Sequence, residues 1–112
     1  MAVGIGAFTS NSILNGTSLT LTRPTGIVAG DVLLILATNE DNADPPQFNA
    51  LTDRAPYGEW GDSTPDVHVA IYWKVATVAD ESAGSEVVTA DTSNDMAGWF
   101  IRLINVDPDQ PI

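Results

Sequence analysis

The sequence has no cysteine, few basic residues and no long apolar run. Without cysteine the chain can form neither a disulfide nor a thiolate metal site, so packing alone must hold its core. The longest apolar run, 32–37, is far shorter than the roughly 20 residues of a membrane-spanning helix, and the N-terminus lacks the basic start of a signal peptide. These absences predict a protein that is made in the cytoplasm and does not enter a membrane.

Basic residues are strongly outnumbered by acidic ones. Four Lys and Arg stand against fifteen Asp and Glu, which gives a formal net charge of −11. Such a charge repels phosphate backbones and anionic lipid, so we predict no nucleic-acid partner and no membrane partner. We interpret the acidity mainly as an aid to solubility, with a basic protein partner or divalent cations as the open alternatives.

Residue patterns that carry catalysis are also missing. His68 is the single histidine, and one imidazole cannot build a multi-histidine zinc site. Neither a G-x-S-x-G nucleophile turn nor a phosphate-binding loop with its Gly-Lys-Ser/Thr ending occurs. We therefore predict a protein that is not an enzyme and that has no cofactor, no catalytic residue and no resident metal. The acidic segments 40–44 and 91–95 offer oxygen ligands for calcium, but they lack the EF-hand spacing.

What the sequence does contain is a strongly alternating segment at 66–77. Its odd-numbered positions from 67 to 75 are apolar and most of its even-numbered positions are polar, which is typical of a half-buried β-strand. The segment 96–106 is apolar on both sides, which is typical of a central strand, with Arg102 either paired to a carboxylate or reaching an edge. The predicted core residues are Val67, Val69, Ile71, Trp73, Val75, Trp99, Ile101 and Leu103.

Further strands are predicted at 4–9, 17–22, 31–38 and 86–90, with turn residues between them. Asn15-Gly16 lies between the first two as a hairpin signal. The segments 78–85 and 91–95 are predicted to be polar turns. Together these elements predict an all-β protein, an antiparallel β-sandwich of jelly-roll-like form. The chain 1–112 would be a single domain, with 107–112 as an exit linker that leaves open a longer polypeptide.

The middle of the chain, 39–65, is rich in proline, glycine and acidic residues, which resist long regular elements. We predict an ordered loop region there, with room for one short strand near 47–52. Its apolar side chains Phe48, Tyr57 and Trp60 are predicted to be interface anchors.

Three motifs give the chain a family resemblance. They are PTGIVAGDVLL at 24–34, YWKVA at 72–76 and a strand that ends in NVDP at 105–108. In these motifs the chain resembles β-sandwich domains of tailed-bacteriophage virion proteins and of related bacterial surface proteins, over about 24–112. Two features depart from those domains: the middle loop lacks their Pro-x-Gly-Trp turn, and their further strands after the Asp-Pro turn are missing.

The resemblance implies a non-enzymatic structural protein of the virion. It would be a capsid decoration or cement protein, or the virion-anchoring domain of a head or tail fibre. Its expected partners are other virion proteins, capsid or tail subunits, and further copies of itself in a homo-oligomer. The alternative is a carbohydrate-binding module that uses the loop aromatics Tyr57 and Trp60, with or without calcium.

Overall fold

The computed structural model describes residues 2–40, 55–61 and 67–107. These residues form an antiparallel β-sheet that curls into a half-barrel, so the all-β prediction is confirmed. The strands are β1 (Gly4–Leu21), β2 (Val32–Glu40), β3 (Ala55–Gly61), β4 (Val67–Val75) and β5 (Glu86–Ile104). A short 3₁₀ helix, Val78–Glu81, links β4 to β5. Within the described ranges, no helix has the length and apolarity needed to cross a membrane.

The strand order in the sheet is β1-β5-β2-β4-β3, with every neighbouring pair antiparallel. Strand β2 lies in the centre because its first six residues, 32–37, are all apolar and both of its faces need cover. The predicted strands 31–38 and 66–77 correspond closely to β2 and β4. The predicted turn at 78–85 contains the 3₁₀ helix.

The predicted hairpin at Asn15-Gly16 is a bend within one strand. Strand β1 runs for 18 residues and β5 for 19, and the two pair along almost their whole length. Asn15 has a φ of 52°, and register shifts flank Gly16, which pairs with Asn94. The prediction of a turn at 91–95 was wrong, because this segment of β5 follows the bend of β1 and stays in the ladder.

The bend folds the β1–β5 ribbon back across one face of the sheet. The side chain of Thr9 donates to the carbonyl oxygen of Thr22, and the Asn11 Nδ2 donates to that of Thr20 at 2.9 Å. The two halves of β1 therefore lie beside each other in opposite directions. The second half of the ribbon, 16–21 with 86–94, covers the interior of the half-barrel.

Strand β3 lies where a loop was predicted. It pairs with β4 at the edge of the sheet, and a bulge separates Pro56 from Gly58. An edge strand next to a bulge tolerates proline, because the ladder bond that proline cannot donate is not required there. Composition alone therefore failed to reveal this strand. The predicted short strand near 47–52 lies outside the described residues.

The hydrophobic core lies between the sheet and the folded ribbon. Its members come from the ribbon, from β2, from the core-facing side of β5, from the turn before β2 and from the residue after β4: Leu19, Leu21, Ile27, Leu33, Ile35, Ala37, Ala76, Val88, Ala90, Met96 and Phe100. Gly98 permits this close approach, since a Cβ there would lie 3.2 Å from the side chains of Leu19 and Leu21.

The predicted core residues lie on the opposite face of the sheet. Trp99 is 37% exposed, and the others with described side chains are half-buried: Val69, Ile71, Trp73, Val75, Ile101 and Leu103. The side chain of Val67 lies outside the described part. Alternation correctly predicts which residues share a face, but the folded ribbon decides which face becomes the core. On β4 the buried face is that of Ala70, and the prediction chose the other one.

Candidate functional site

On the face of the sheet opposite the core, the register aligns side chains in continuous rows across four strands. Phe8 pairs with Ile101, Ile101 with Leu34, and Leu34 with Trp73. Paired residues project to the same side of an antiparallel sheet, so each such row forms one band of side chains. We call this side of the sheet the outer face. Its described residues are Ile5, Phe8, Ser10, Ser12, Val32, Leu34, Leu36, Thr38, Val69, Ile71, Trp73, Val75, Ala97, Trp99, Ile101 and Leu103.

None of these outer-face residues is charged, although the chain carries a net charge of −11. Charge lies at one border of the face: the register places Glu40 opposite Val67 at the end of β2, and Asp95 lines a cleft together with Ser12, Thr38 and Ala97. The polar exceptions are the hydroxyl side chains of Ser10, Ser12 and Thr38. The basic residues of the same strands, Lys74 and Arg102, occupy core-side positions. An antiparallel sheet that faced water on this side would normally carry polar residues there, so the outer face has the composition of a surface that is covered.

The most exposed part of the outer face lies on β1 and β5. Ile5 and Phe8 are each 62% exposed and Trp99 is 37% exposed. Their ladder partners Leu103 and Ile101 are half-buried and lie on the same face. We call these five residues the outer patch. Exposed apolar surface that is contiguous in this way marks interaction sites more often than isolated apolar residues do.

A cluster of buried charges closes one end of the molecule on the core side. The Arg23 Nη2 atom lies 3.0 Å from Glu86 Oε1 and 3.4 Å from Asp80 Oδ1, and the Lys74 Nζ lies 3.0 Å from Asp80 Oδ2. Each of these side chains is at most 12% exposed. The Arg23 guanidinium carbon also lies 5.5 Å from the centre of the Phe100 ring, a cation–π distance. Because the acidic and basic groups are matched, the cluster is suited to stabilising the fold.

Arg102 forms a second buried ion pair near this end. Its Nε donates to Asp31 Oδ2 at 2.6 Å, so the expectation that Arg102 pairs with a carboxylate is confirmed. The same Asp31 oxygen accepts a hydrogen bond from the Val28 N–H at 3.0 Å, which fixes the turn before β2. Gly26 in this turn has a φ of 78°, and a Cβ there would lie 2.8 Å from the Arg102 guanidinium. The motif at 24–34 thus builds a turn that receives an arginine from β5.

Among the described residues, Asp80 is the carboxylate whose pKa is clearly shifted. Burial by itself raises the pKa of Asp80, but hydrogen bonds from the Thr77 backbone and from Lys74 outweigh it. The pKa is therefore lowered from its ordinary value of 3.8. The Thr77 N–H donates to Asp80 Oδ2 at 2.8 Å and the Thr77 hydroxyl donates to the same oxygen at 3.1 Å. Asp80 is held ionised as an acceptor for its neighbours, which is the opposite of what a general acid needs.

The described residues also bear on metal binding. They contain no group of three or more His, Asp or Glu side chains placed to hold a metal ion. A shallow cleft near the bend of β1 is lined by Ile13, Leu14 and Asp95, among others. Asp95 Oδ1 accepts a hydrogen bond from the Asn15 N–H at 3.0 Å, so this carboxylate helps to hold the bend. The side chain of His68 lies outside the described part of the chain.

The predicted interface anchors fall in or near the middle of the chain. Phe48 lies outside the described residues. Tyr57 and Trp60 belong to the edge strand β3, where Trp60 pairs with Val69, and their side chains lie outside what the structure describes. Sequence reasoning missed Ile5 and Phe8 as surface candidates, because a register shift between Ile5 and Ala7 breaks the simple alternation. The available signal was the complete absence of charge from β1.

Comparison of the chain with protein-family models, with curated proteins and with solved structures gave no match.

Proposed function

We propose that this protein is a non-enzymatic structural module that works by packing against neighbouring subunits in an assembly. The observation that carries the proposal is the outer patch, which consists of apolar residues alone in a strongly acidic chain and exposes Ile5, Phe8 and Trp99. Assembly through such a face would bury apolar surface that otherwise stays in water.

The two faces of the sheet support this role in different ways. The folded ribbon covers the core face, with Leu19 and Val88 packed over Leu33 and Ile35. No second layer of this kind, among the described residues, lies on the outer face. A layer that is apolar on both sides is most stable when both sides are covered. We propose that a neighbouring subunit supplies the missing layer and so completes a sandwich.

We further propose that the assembly is the virion of a tailed bacteriophage. The support is the resemblance of the segments 24–34, 72–76 and 105–108 to virion β-sandwich domains. In this role the protein is a capsid decoration protein or the anchoring domain of a head or tail fibre. The net charge of −11 would keep particles dispersed.

The test is to look for the protein in purified particles. Virions of the phage that encodes the chain are purified on a density gradient and probed with an antiserum against the chain. We expect a band in the particle fraction, at a copy number that fits a symmetric shell or tail. A protein that is abundant in the infected cell but absent from intact particles would overturn the virion proposal.

The second candidate function is carbohydrate binding, and Phe8 and Trp99 give it a specific basis. Both rings are exposed on one sheet face, and aromatic rings in such positions can stack on sugars. A glycan array separates the two functions. We expect no glycan to bind; glycan binding that is abolished by Trp99→Ala and retained by Val78→Ala would favour the carbohydrate module. Val78 is a suitable control because it is 73% exposed and lies on the 3₁₀ helix.

A further inference from the structure

We propose that the outer patch packs against the same patch of a second copy of this chain, around a two-fold axis. The inference rests on the proposed structural function and names the partner of its assembly surface. In the resulting dimer each outer face becomes the second layer for the other, as in the face-to-face packing of two sheets.

Charge is the first argument for a second copy. Two chains of net charge −11 repel each other over most orientations, so they can approach closely only where no charges lie. The outer patch, which consists of apolar residues alone, meets this condition. A basic partner would instead require carboxylates at the contact, and the outer patch contains none. A two-fold axis also matches an apolar surface with itself, so no separate complementary surface is needed.

Area is the second argument. The exposed parts of Ile5, Phe8 and Trp99 amount to on the order of 300 Å² of apolar surface, a substantial patch for a monomer. A standard interface buries about 800 Å² on each partner. The half-buried neighbours on the same face, such as Ile101 and Leu34, extend the patch toward that size. The outer face is therefore large enough for a stable pair of subunits.

The polarity of the patch is the third argument. A sugar or a polar peptide has many hydrogen-bonding groups that must be satisfied when water is removed. Near the outer patch, β1 presents only the hydroxyls of Ser10 and Ser12 on this face. An apolar surface of the same kind makes no such demand, and a second copy provides that surface.

The first experiment measures association of the purified full chain by sedimentation velocity across a concentration series. We expect a species of twice the chain mass of 11.8 kDa. Phe8→Ser should weaken the dimer roughly tenfold to a hundredfold, because a two-fold interface loses the ring twice. Val78→Ser removes a similarly exposed apolar side chain outside the sheet, and should change the affinity less than about twofold. Circular dichroism checks that both variants stay folded.

The second experiment uses the absence of cysteine, since a single introduced thiol reports on one position. Ser10→Cys places the thiol on the outer face beside Trp99, and Ser82→Cys places it after the 3₁₀ helix. Both serines are exposed. We expect alkylation at position 10 to slow severalfold as the concentration rises through the dimer range, while the rate at position 82 stays constant.

The outcomes separate failure of the dimer inference from failure of the proposed function. A monomer at every concentration excludes the dimer. If an oligomer forms but Phe8→Ser does not weaken it and the thiol at position 10 stays reactive, the interface lies elsewhere on the molecule. If the chain is monomeric but present in purified virions, the dimer is excluded, while the structural function stands with a different virion protein as the partner. If the chain forms the dimer but is absent from virions, the dimer inference stands and the virion proposal is overturned.

Discussion

Asp80 forms ion pairs with two of the basic side chains that the structure describes. Its carboxylate lies near both Arg23 and Lys74 and also accepts two hydrogen bonds from Thr77. The side chain is 7% exposed, so these contacts are only weakly screened by solvent. Removing one member of such a group leaves the others buried without their counter-charge.

We expect Asp80→Asn to lower the free energy of unfolding by about 3 kcal/mol, measured by urea denaturation at pH 7. The amide has nearly the same shape as the carboxylate, so the loss reflects the charge. Glu81→Gln is the control, because Glu81 is exposed and its Oε1 accepts a bond from the Ala29 N–H that an amide oxygen can also accept. The control should change stability by less than about 1 kcal/mol. Equal losses in both variants would contradict the role of the cluster.

The same variant has a defined pH dependence. Because the pKa of Asp80 is lowered from 3.8 in the folded state, its stabilisation is fully present above that value and is lost as the pH falls through 3.8 toward the folded pKa. The stability difference between the wild type and Asp80→Asn should therefore be constant from about pH 7 to pH 5 and shrink below about pH 4. A difference that persists unchanged in acid would show that the carboxylate charge is not its source.

At the scale of elements, the packing of the folded ribbon on the sheet depends on Gly98. A methyl group there would lie 3.2 Å from Leu19 Cδ2, from Leu21 Cδ1 and from the backbone oxygen of Leu36. The leucine side chains can shift, but the Leu36 oxygen is fixed by its strand. The position therefore has room for a hydrogen atom and too little for a side chain.

We expect Gly98→Ala to destabilise the protein by about 1 to 2 kcal/mol, measured by chemical denaturation. Gly84→Ala is the matched control: nothing lies within 4 Å of a Cβ there, and the residue is exposed. The control should be neutral or slightly stabilising, because alanine reduces the entropy of the unfolded chain. A Gly98→Ala protein as stable as the Gly84→Ala protein would mean that the ribbon does not pack tightly at this point.

The elements show where sequence patterns suffice and where they do not. The sequence signals for β2 and β4 are local. An apolar run between turn residues is enough to predict β2, and a regular alternation is enough to predict β4. No local signal shows that β1 and β5 are continuous strands, since the same Asn15-Gly16 dipeptide is compatible with a hairpin turn and with a bend in a paired strand. The ladder between Gly16 and Asn94 decides in favour of the bend, and no short window of sequence contains both residues.

The candidate site was predictable to a smaller extent. The sequence grouped Ile71 with Trp73, and Trp99 with Ile101, and the structure keeps each pair on one face. It did not show that this face is the outer one, because burial depends on which side the ribbon folds over. Alternation does not indicate Phe8, because the register shift after Ile5 disturbs the period of two along β1.

For the whole molecule, the dominant electrostatic feature is the excess of negative charge. Fifteen acidic residues against four basic ones must repel one another in the compact state. The ion pairs of Arg23, Lys74 and Arg102 are largely buried and are therefore screened less by salt than the surface charges are.

We expect sodium chloride to stabilise the fold. Raising the salt from about 10 mM to 150 mM shortens the screening length from roughly 30 Å to 8 Å, so Tm should rise by several degrees in thermal scans. The Phe8→Ser variant is used at low protein concentration, so that dimer formation does not contribute. A Tm that falls with added salt would indicate that the ion pairs outweigh the general repulsion.

The pairing of β1 with β5 also determines the order in which the molecule can form. Gly4 pairs with Ile104, and among the described strands β1 contacts only β5. Strand β1 therefore has no ladder partner until β5 has been synthesised, and its charge-free sequence stays available to other nascent chains until then. Contacts of such long sequence separation make folding slow and expose intermediates to aggregation. The arrangement that closes the half-barrel thus makes the yield of this protein depend on rapid synthesis through β5, or on chaperones.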